Sequence, residues 1–224
     1  MEGEKDMKAS PGSANTERIA IAVIIIFHVA GLIGLCIPSV QPWFLAFVPW
    51  HLLVMLLVIL LSHQSTDNKF TLYVIAVIVF GYLAEWAGVH RHWLFGDYQY
   101  GQTLGLKVSS VPLIIGVNWF LLTYSAGVLM QRSRLHSRLA RIITGALLLV
   151  ALDFVIEPVA IRLDYWHWAN NSVPLLNYAS WFIFAVAMLT VFELFRFKPQ
   201  SRTAPVFLAV QFVFFVILYF MNRV

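Results

Sequence analysis

Long apolar blocks alternate with short polar segments along almost the whole chain. Each block has about 20 residues, which at about 1.5 Å per residue spans the hydrocarbon core of a bilayer, roughly 30 Å thick. Prolines mark most block boundaries, as expected for a residue that can start a helix but cannot continue one. The pattern predicts an all-α, polytopic membrane protein with seven transmembrane helices, at residues 18–37, 43–62, 70–90, 112–131, 139–157, 174–195 and 204–221.

The composition supports this interpretation. The 224 residues are 60% hydrophobic and 12% charged, whereas a soluble domain has about 25% charged residues. Residues 1–17 are polar and contain Pro11 and Gly12, so we predict a disordered cytoplasmic tail. A basic leader and a small-residue cleavage pattern are missing, so the first block is expected to remain as a helix. Residues 18–224 are then a single seven-helix membrane domain.

The positions of the basic residues predict how the chain is oriented in the membrane. Eleven of the 15 Lys and Arg residues lie in the tail and in the loops on the same side of the membrane. The positive-inside rule therefore predicts a cytoplasmic N-terminus and a C-terminus outside. The net charge of +4 is explained by these loops, so nucleic acid is not an expected partner.

The third predicted span carries an acid inside the apolar block. Gly81, Glu85, Gly88 and His92 follow one another at spacings of four, three and four, so they share a helical face. An ionisable side chain in hydrocarbon costs a few kcal/mol and marks a candidate functional site. The glycines would let another backbone or a flat, elongated ligand approach closely. The alternative is a helix-packing groove in which Glu85 bonds to a neighbour.

The fifth predicted span carries two acids. Asp153 and Glu157 are four residues apart and lie on one face, where like charges repel. We expect at least one of them to keep its proton at neutral pH, and the two to titrate as a coupled unit. Such a pair is a plausible proton donor and acceptor. Alternatively, one carboxylate pairs with Arg91 or Arg162 and ties the outer loops together.

Two loops on the predicted outer side are rich in aromatic residues. The loop between the third and fourth spans is about 20 residues long, so we predict that it is ordered or re-entrant. Aromatic rings beside acids can stabilise a carbocation, although Trp and Tyr at membrane edges are often interfacial anchors. His90, His92 and Asp97 match no strong metal-site template, so no metal is expected.

These motifs together resemble a known family. The pattern comprises Glu85-Trp86, Gly88, Phe95-Gly96-Asp97-Tyr98, Tyr100, Leu104-Gly105, Val111-Pro112, Trp119, Asp153, Glu157-Pro158, Trp166, Trp168, Pro174, Asn177 and Trp181. It resembles the membrane-integral carotenoid biosynthesis proteins, a family that includes the carotenoid 1,2-hydratases. The resemblance covers the third to sixth spans, whereas the other three match in hydrophobicity alone.

The resemblance implies an enzyme of the bacterial or archaeal cytoplasmic membrane that adds water across the terminal C1–C2 double bond of an acyclic carotenoid. This chemistry needs an acid, a pocket that tolerates a tertiary cation, a water molecule and a base, and it needs no cofactor. The candidate catalytic residues are Glu85, Asp97, Asp153 and Glu157. The candidate substrate-binding residues are Gly81, Trp86, Gly88, Trp93, Tyr98, Tyr100, Asn118, Trp119, Trp166, Trp168, Asn177 and Trp181.

The polyene is expected along Gly81 and Gly88, between helices and open to the bilayer. The expected partners are this carotenoid and water, with other carotenoid enzymes as further candidates. Two other functions remain open. A proton-initiated, lycopene-type cyclase would share the first step but trap the cation with an internal double bond. The other hypothesis is a non-catalytic membrane binding protein or transporter. A retinal protein is disfavoured because residues 204–221 contain no lysine.

Overall fold

The computed structural model describes residues 11–221. Residues 1–10 of the predicted disordered tail and the C-terminal residues 222–224 therefore lie outside the described residues. Within the described range the chain forms eight helices and four short strands. Their bounds are α1 Pro11–Cys36, α2 Gln41–Ala46, α3 Val48–Leu61, α4 Asn68–Arg91, β1 Tyr98–Tyr100, β2 Lys107–Val108, β3 Val111–Pro112, α5 Ile114–Gln131, α6 Arg138–Arg162, β4 Trp166–Trp168, α7 Leu175–Phe195 and α8 Thr203–Met221.

The structure is an all-α, polytopic membrane fold. Six helices, α1, α4, α5, α6, α7 and α8, are long and apolar enough to cross a bilayer. Local signals set several boundaries: the Asp67 carboxylate accepts a hydrogen bond from the Phe70 amide at the start of α4, and the Ser137 hydroxyl accepts one from Ala140 at the start of α6. Both are N-caps. α1 begins at Pro11, before the predicted start at Arg18.

The segment predicted as the second span is not one continuous helix, and the count of seven full-length spans is not confirmed. The segment divides at Phe47 into α2 and α3, and each of these helices has a proline in its first turn. The 14 residues of α3 extend about 21 Å, which is less than the hydrocarbon thickness of roughly 30 Å. Prolines start helices but break a continuous hydrogen-bond ladder, which accounts for the division.

The two short helices nevertheless connect opposite ends of the bundle. Gln41 donates a hydrogen bond to the carbonyl of Leu35 at the end of α1. At the other end of the segment, the carbonyl of Ser62 accepts a hydrogen bond from Ser201, just before α8 begins. A broken segment thus occupies the place where a continuous span was predicted.

The fifth helix is the centre of the bundle. It is buried along most of its length and packs against α3, α4, α6, α7 and α8. α1 packs on α8 at the periphery. α4 and α6 both lie against α5, and the acids that they carry line one cavity beside it.

A small sheet caps the end of the bundle where α4 and α6 terminate. β1 pairs antiparallel with β4, so that Tyr98 lies opposite Trp168 and Tyr100 lies opposite Trp166. Side chains alternate along a strand, so these four rings lie on the same face of the sheet. The two loops rich in aromatic residues therefore form one unit.

Candidate active site

Three carboxyl groups are buried at the capped end of the bundle. Glu85 of α4 is 5% exposed, and Asp153 and Glu157 of α6 are 1% and 2% exposed. All three line one cavity of about 40 Å³. The helical spacing of four residues puts both acids of α6 on the face directed at α5 and α7. The structure thus brings together the two acidic motifs of the sequence.

Glu85 receives three hydrogen bonds. The hydroxyl groups of Tyr98 and Tyr100 donate to its Oε2 atom at 2.5 and 2.7 Å, and the Trp119 indole donates to Oε1 at 2.8 Å. Burial, assisted by the Glu85 charge, raises the pKa of both phenols well above its usual value. Both tyrosines therefore stay protonated and remain donors, an arrangement that favours an ionised Glu85 carboxylate.

Glu157 is held in a similar way from the cap and from α7. The indole nitrogens of Trp166 and Trp168 donate to its Oε2 atom at 2.9 and 2.8 Å. The amide of Asn177 donates to Oε1 at 3.2 Å. Because indole nitrogens can only donate hydrogen bonds, their partner must accept. Two donors on one oxygen therefore favour an unprotonated Oε2.

Asp153 receives fewer hydrogen bonds than either glutamate. The Asn177 amide donates to its Oδ2 atom at 2.8 Å, and Oδ1 has no hydrogen-bond partner among residues 11–221. Asn177 therefore bridges the two acids of α6 through one nitrogen. A carboxyl oxygen that is buried without a partner is costly unless it carries a proton or meets a ligand.

The cavity between the acids has aromatic walls and room for water. Its volume exceeds the 10–15 Å³ or so that one water molecule requires. Within the described chain, no group of three His, Cys, Asp or Glu side chains is arranged to hold a metal ion. The lining residues are Glu85, Phe95, Tyr98, Tyr100, Ile115, Asn118, Asp153, Ile156, Glu157, Trp166, Trp168, Asn177 and Trp181.

A second set of contacts fixes the cap in place. The Asp164 carboxylate accepts hydrogen bonds from the Gln102 amide at 2.8 Å and from His167 at 2.6 Å, and these bonds lower the pKa of Asp164. Gly101 lies so close to Asp164 that a Cβ atom would meet the Asp164 backbone oxygen. These contacts hold β1 against β4. They thereby fix the positions of the tyrosines and tryptophans that donate hydrogen bonds to Glu85 and Glu157.

Most of the predicted site residues lie at the cavity or next to it, but three do not. Asp97 is exposed and lies 3.2 Å from the His92 ring. Trp86 stacks on His90, and Trp93 is 64% exposed. None of these three lines the acid cavity. Trp119 stacks on the cavity-lining Trp181 and donates a hydrogen bond to Glu85.

The two glycines of the predicted ligand groove are covered by protein side chains. A Cβ atom at Gly81 would lie 2.6 Å from the Trp119 side chain, and one at Gly88 would lie 2.8 Å from Phe95 and from the Tyr98 hydroxyl. The glycines therefore allow Trp119 and Tyr98 to reach Glu85. The space expected for a polyene beside α4 is occupied.

Sequence reasoning missed three lining residues, Phe95, Ile115 and Ile156. Ile115 lies three residues before Asn118, and Ile156 lies three residues after Asp153, which puts each isoleucine on the same helical face as a predicted site residue. That spacing was the available signal. Apolar residues at such positions are otherwise indistinguishable from core residues.

Comparisons with known proteins agree with the resemblance. Residues 21–224 match the model of a family described as carotenoid biosynthesis protein. One relative is the bisanhydrobacterioruberin hydratase of Haloarcula japonica, which is 26% identical over 190 residues. The alignment covers 79% of this chain and 64% of the relative, so the chain spans less than two thirds of that protein's length. No solved structure matches the chain significantly.

Proposed function

Because the chain belongs to the carotenoid biosynthesis protein family, we propose that it hydrates an acyclic carotenoid at the terminal C1–C2 double bond. The observation that carries this proposal is the cavity in which three buried acids, aromatic rings and space for water meet. The name of the Haloarcula relative, a hydratase, supports the same reaction. Hydration of this kind requires an acid, a base and a water molecule in a site that tolerates positive charge.

The unequal hydrogen bonding supports Asp153 as the proton donor. Asp153 has a free carboxyl oxygen, whereas Oε2 of Glu157 is committed to two indole donors. Asp153 is therefore the protonated acid of the pair, and Glu157 is the carboxylate. One proton shared between two neighbouring acids also avoids placing two like charges side by side in the membrane.

The proposed reaction has two steps. The Asp153 proton is transferred to C2, and the electron pair of the double bond forms the new C–H bond, which leaves a tertiary cation at C1. A water oxygen then bonds to C1 and gives one proton to Glu157. The product is a tertiary alcohol, and a proton returned from Glu157 to Asp153 through cavity water restores the starting state. The sum is alkene plus water, without an oxidant or reductant.

The rest of the cavity fits a cationic intermediate. Glu85 is held as a carboxylate by three donors on fixed elements, so its charge is in place before the reaction starts. Preorganised charge of this kind stabilises a transition state without reorganisation. The rings of Trp168 and Trp181 line the same cavity and offer cation–π attraction.

The proposed orientation also suits the reaction. With the more basic loops in the cytoplasm, the N-terminus is cytoplasmic, and the β1–β4 cap and the acid cavity lie near the outer surface. Water then reaches the acids through the cap region, and the apolar substrate arrives from the bilayer.

The test is expression in a carotenoid-free bacterial host supplied with the genes for lycopene or gamma-carotene. Pigments are separated by chromatography and weighed by mass spectrometry. We expect a new product that is heavier by one water molecule and is missing with an empty vector. An isomer of unchanged mass would instead establish cyclisation, and unaltered pigment beside well-folded protein would contradict both enzyme activities.

A further inference from the structure

A second and much larger cavity lies beside the acid cavity. Its volume is about 550 Å³, and its walls come from α1, α2, α3, α5 and α8 with a smaller part from α6 and β4. This volume falls in the range of about 300–1,000 Å³ that is typical of ligand pockets. It is more than ten times the volume of the acid cavity. We refer to it as the apolar groove.

The apolar groove is lined mainly by aliphatic and aromatic side chains. Three of its aromatic residues, Trp43, Phe47 and Trp50, are 70%, 61% and 63% exposed. They lie on α2 and α3 and between them, where the predicted second span is broken. Exposed aromatic rings at such a place form a rim between the groove and the lipid. The groove therefore has an apolar opening on the side of the bundle where α2 and α3 replace a continuous span.

The groove and the acid cavity share a wall. Ile115, Asn118, Ile156 and Trp166 line both spaces. Of these, Trp166 donates a hydrogen bond to Glu157, and Ile156 precedes Glu157 in α6. An elongated apolar molecule in the groove would therefore have one end at the acids. The space beside Gly81 and Gly88 offers no such route, because side chains fill it.

Asn118 stands out on this shared wall. Its side-chain amide makes no hydrogen bond to another of the residues that the structure describes. An amide at the junction of an apolar groove and a polar cavity can bind water or a newly formed hydroxyl group. The other three shared residues are apolar or aromatic, so Asn118 is the polar group at which substrate and water would meet.

We propose that the apolar groove binds the polyene chain of the substrate, with its acyclic end at the wall formed by Ile115, Asn118, Ile156 and Trp166. This inference rests on the proposed function and deepens it. The substrate is a long, apolar, methyl-branched polyene that enters from lipid between α1 and the α2–α3 segment. Because the acid cavity has a volume of about 40 Å³, the reacting end must be slim, which fits an acyclic end group better than a ring.

The test uses bulk added on two faces of α1. Gly31 lines the groove, and a Cβ atom there would make ordinary contact with Phe214 at 3.6 Å, so Gly31→Phe fills the groove without backbone strain. Ala30→Phe is a second groove variant. The matched control is Ile33→Phe, because Ile33 is 55% exposed and is not part of the groove.

Each variant is expressed in the lycopene-producing host, and the pigment that co-purifies with the intact protein is measured together with product mass. Both groove variants should lower bound lycopene about tenfold or more, as expected for overfilling a packed site by at least about 1.4 kcal/mol. Ile33→Phe should bind like the wild type. Thermal unfolding shows whether each variant is folded. If Gly31→Phe does not fold, the amount of lycopene bound by Ala30→Phe decides the test.

The two proposals fail separately in this experiment. Wild-type binding by a folded groove variant would overturn the apolar groove as the polyene site, even if hydration occurs. A wild-type protein that binds lycopene in a Gly31-dependent manner but yields no product heavier by water would support the groove and overturn hydration of lycopene.

Discussion

Asp153 and Glu157 lie one helical turn apart on α6, yet they receive very different numbers of hydrogen bonds. Glu157 accepts three, from Trp166, Trp168 and Asn177, whereas Asp153 accepts one from Asn177 and keeps Oδ1 free. The chemical difference between the two acids thus comes from the cap and from α7, and the proposed roles of proton donor and acceptor rest on it.

The first prediction concerns the proton donor. Asp153→Asn keeps the shape of the side chain but cannot release a proton to the substrate. We expect turnover to fall about 100-fold or more, since general acid catalysis contributes about 10²–10⁴-fold, while bound lycopene stays near the wild-type level. The measurement is the initial rate of product formation in lipid nanodiscs.

Asp97→Asn is the comparison for that experiment. Asp97 was a candidate in the sequence, but its carboxylate is exposed and contacts His92 away from the cavity. It should retain nearly full turnover. Equal losses in the two variants, or full activity in Asp153→Asn, would be incompatible with the proposed assignment.

The second prediction concerns Asn177, which bridges the two acids. Asn177→Leu preserves much of the volume but removes the donor to both carboxyl groups. Burying them with fewer partners should destabilise the protein by about 1–3 kcal/mol, and turnover should fall because the bond that positions both carboxyl groups is lost. Thermal unfolding and rate are measured together, with Asn177→Ser as a partly rescued variant. A stable and fully active Asn177→Leu protein would rule out the bridge.

The third prediction concerns the contact between Gly101 and Asp164. A methyl group at Gly101 would meet the Asp164 backbone, which cannot move without separating β1 from β4. Gly101→Ala should therefore lower both thermal stability and turnover. Gln99→Ala is the matched control, because Gln99 is the exposed residue of β1, which ends just before Gly101. Identical behaviour of the two alanine variants would show that the cap tolerates displacement.

The fourth prediction concerns pH. His63 follows α3, is 8% exposed and bonds to the Tyr124 hydroxyl at 2.6 Å, and burial lowers its pKa from 6.5 to about 4. The folded protein binds a proton at His63 more weakly than the unfolded chain does. The contribution of neutral His63 to the free energy of unfolding is therefore fully present above pH 6.5 and falls as the pH decreases. The contribution of His63 to this slope should approach about 1.4 kcal/mol per pH unit.

Thermal unfolding in detergent between pH 7 and pH 5 checks this slope. His63→Gln cannot titrate, so its slope in that range should be smaller than that of the wild type by up to about 1.4 kcal/mol per pH unit. A variant with the same dependence as the wild type would assign the effect to another group. The range stays above the ordinary pKa values of exposed carboxyl groups, which keeps their titration out of the comparison.

Much of the acid cavity was predictable from residue spacing, since Glu85, Asp153 and Glu157 are conspicuous in apolar helices. Their common location was not, because it depends on the packing of α4 and α6 against α5 and on the pairing of β1 with β4. Long-range pairing of two loops leaves no periodic signal in either one. The distinction between Asp97 and the buried acids likewise required coordinates.

The second predicted span shows where sequence patterning is least informative. Residues 43–62 are uniformly apolar, so periodicity predicts one helix, although Pro42 and Pro49 divide the segment. The break creates the rim of the apolar groove. His28 and His51, which line that groove, gave no signal that separated them from histidines of an ordinary core. The break between α2 and α3 therefore explains both the incorrect prediction of one continuous helix and the opening of the proposed substrate site.

The measurement that tests the central claim most directly is the mass of the pigment formed from lycopene by the purified protein in water enriched in heavy oxygen. We expect a product that carries one added water molecule with the heavy oxygen in its hydroxyl group, and that disappears in Asp153→Asn. A product of unchanged mass, or a hydroxyl group without the solvent label, would contradict hydration in the acid cavity.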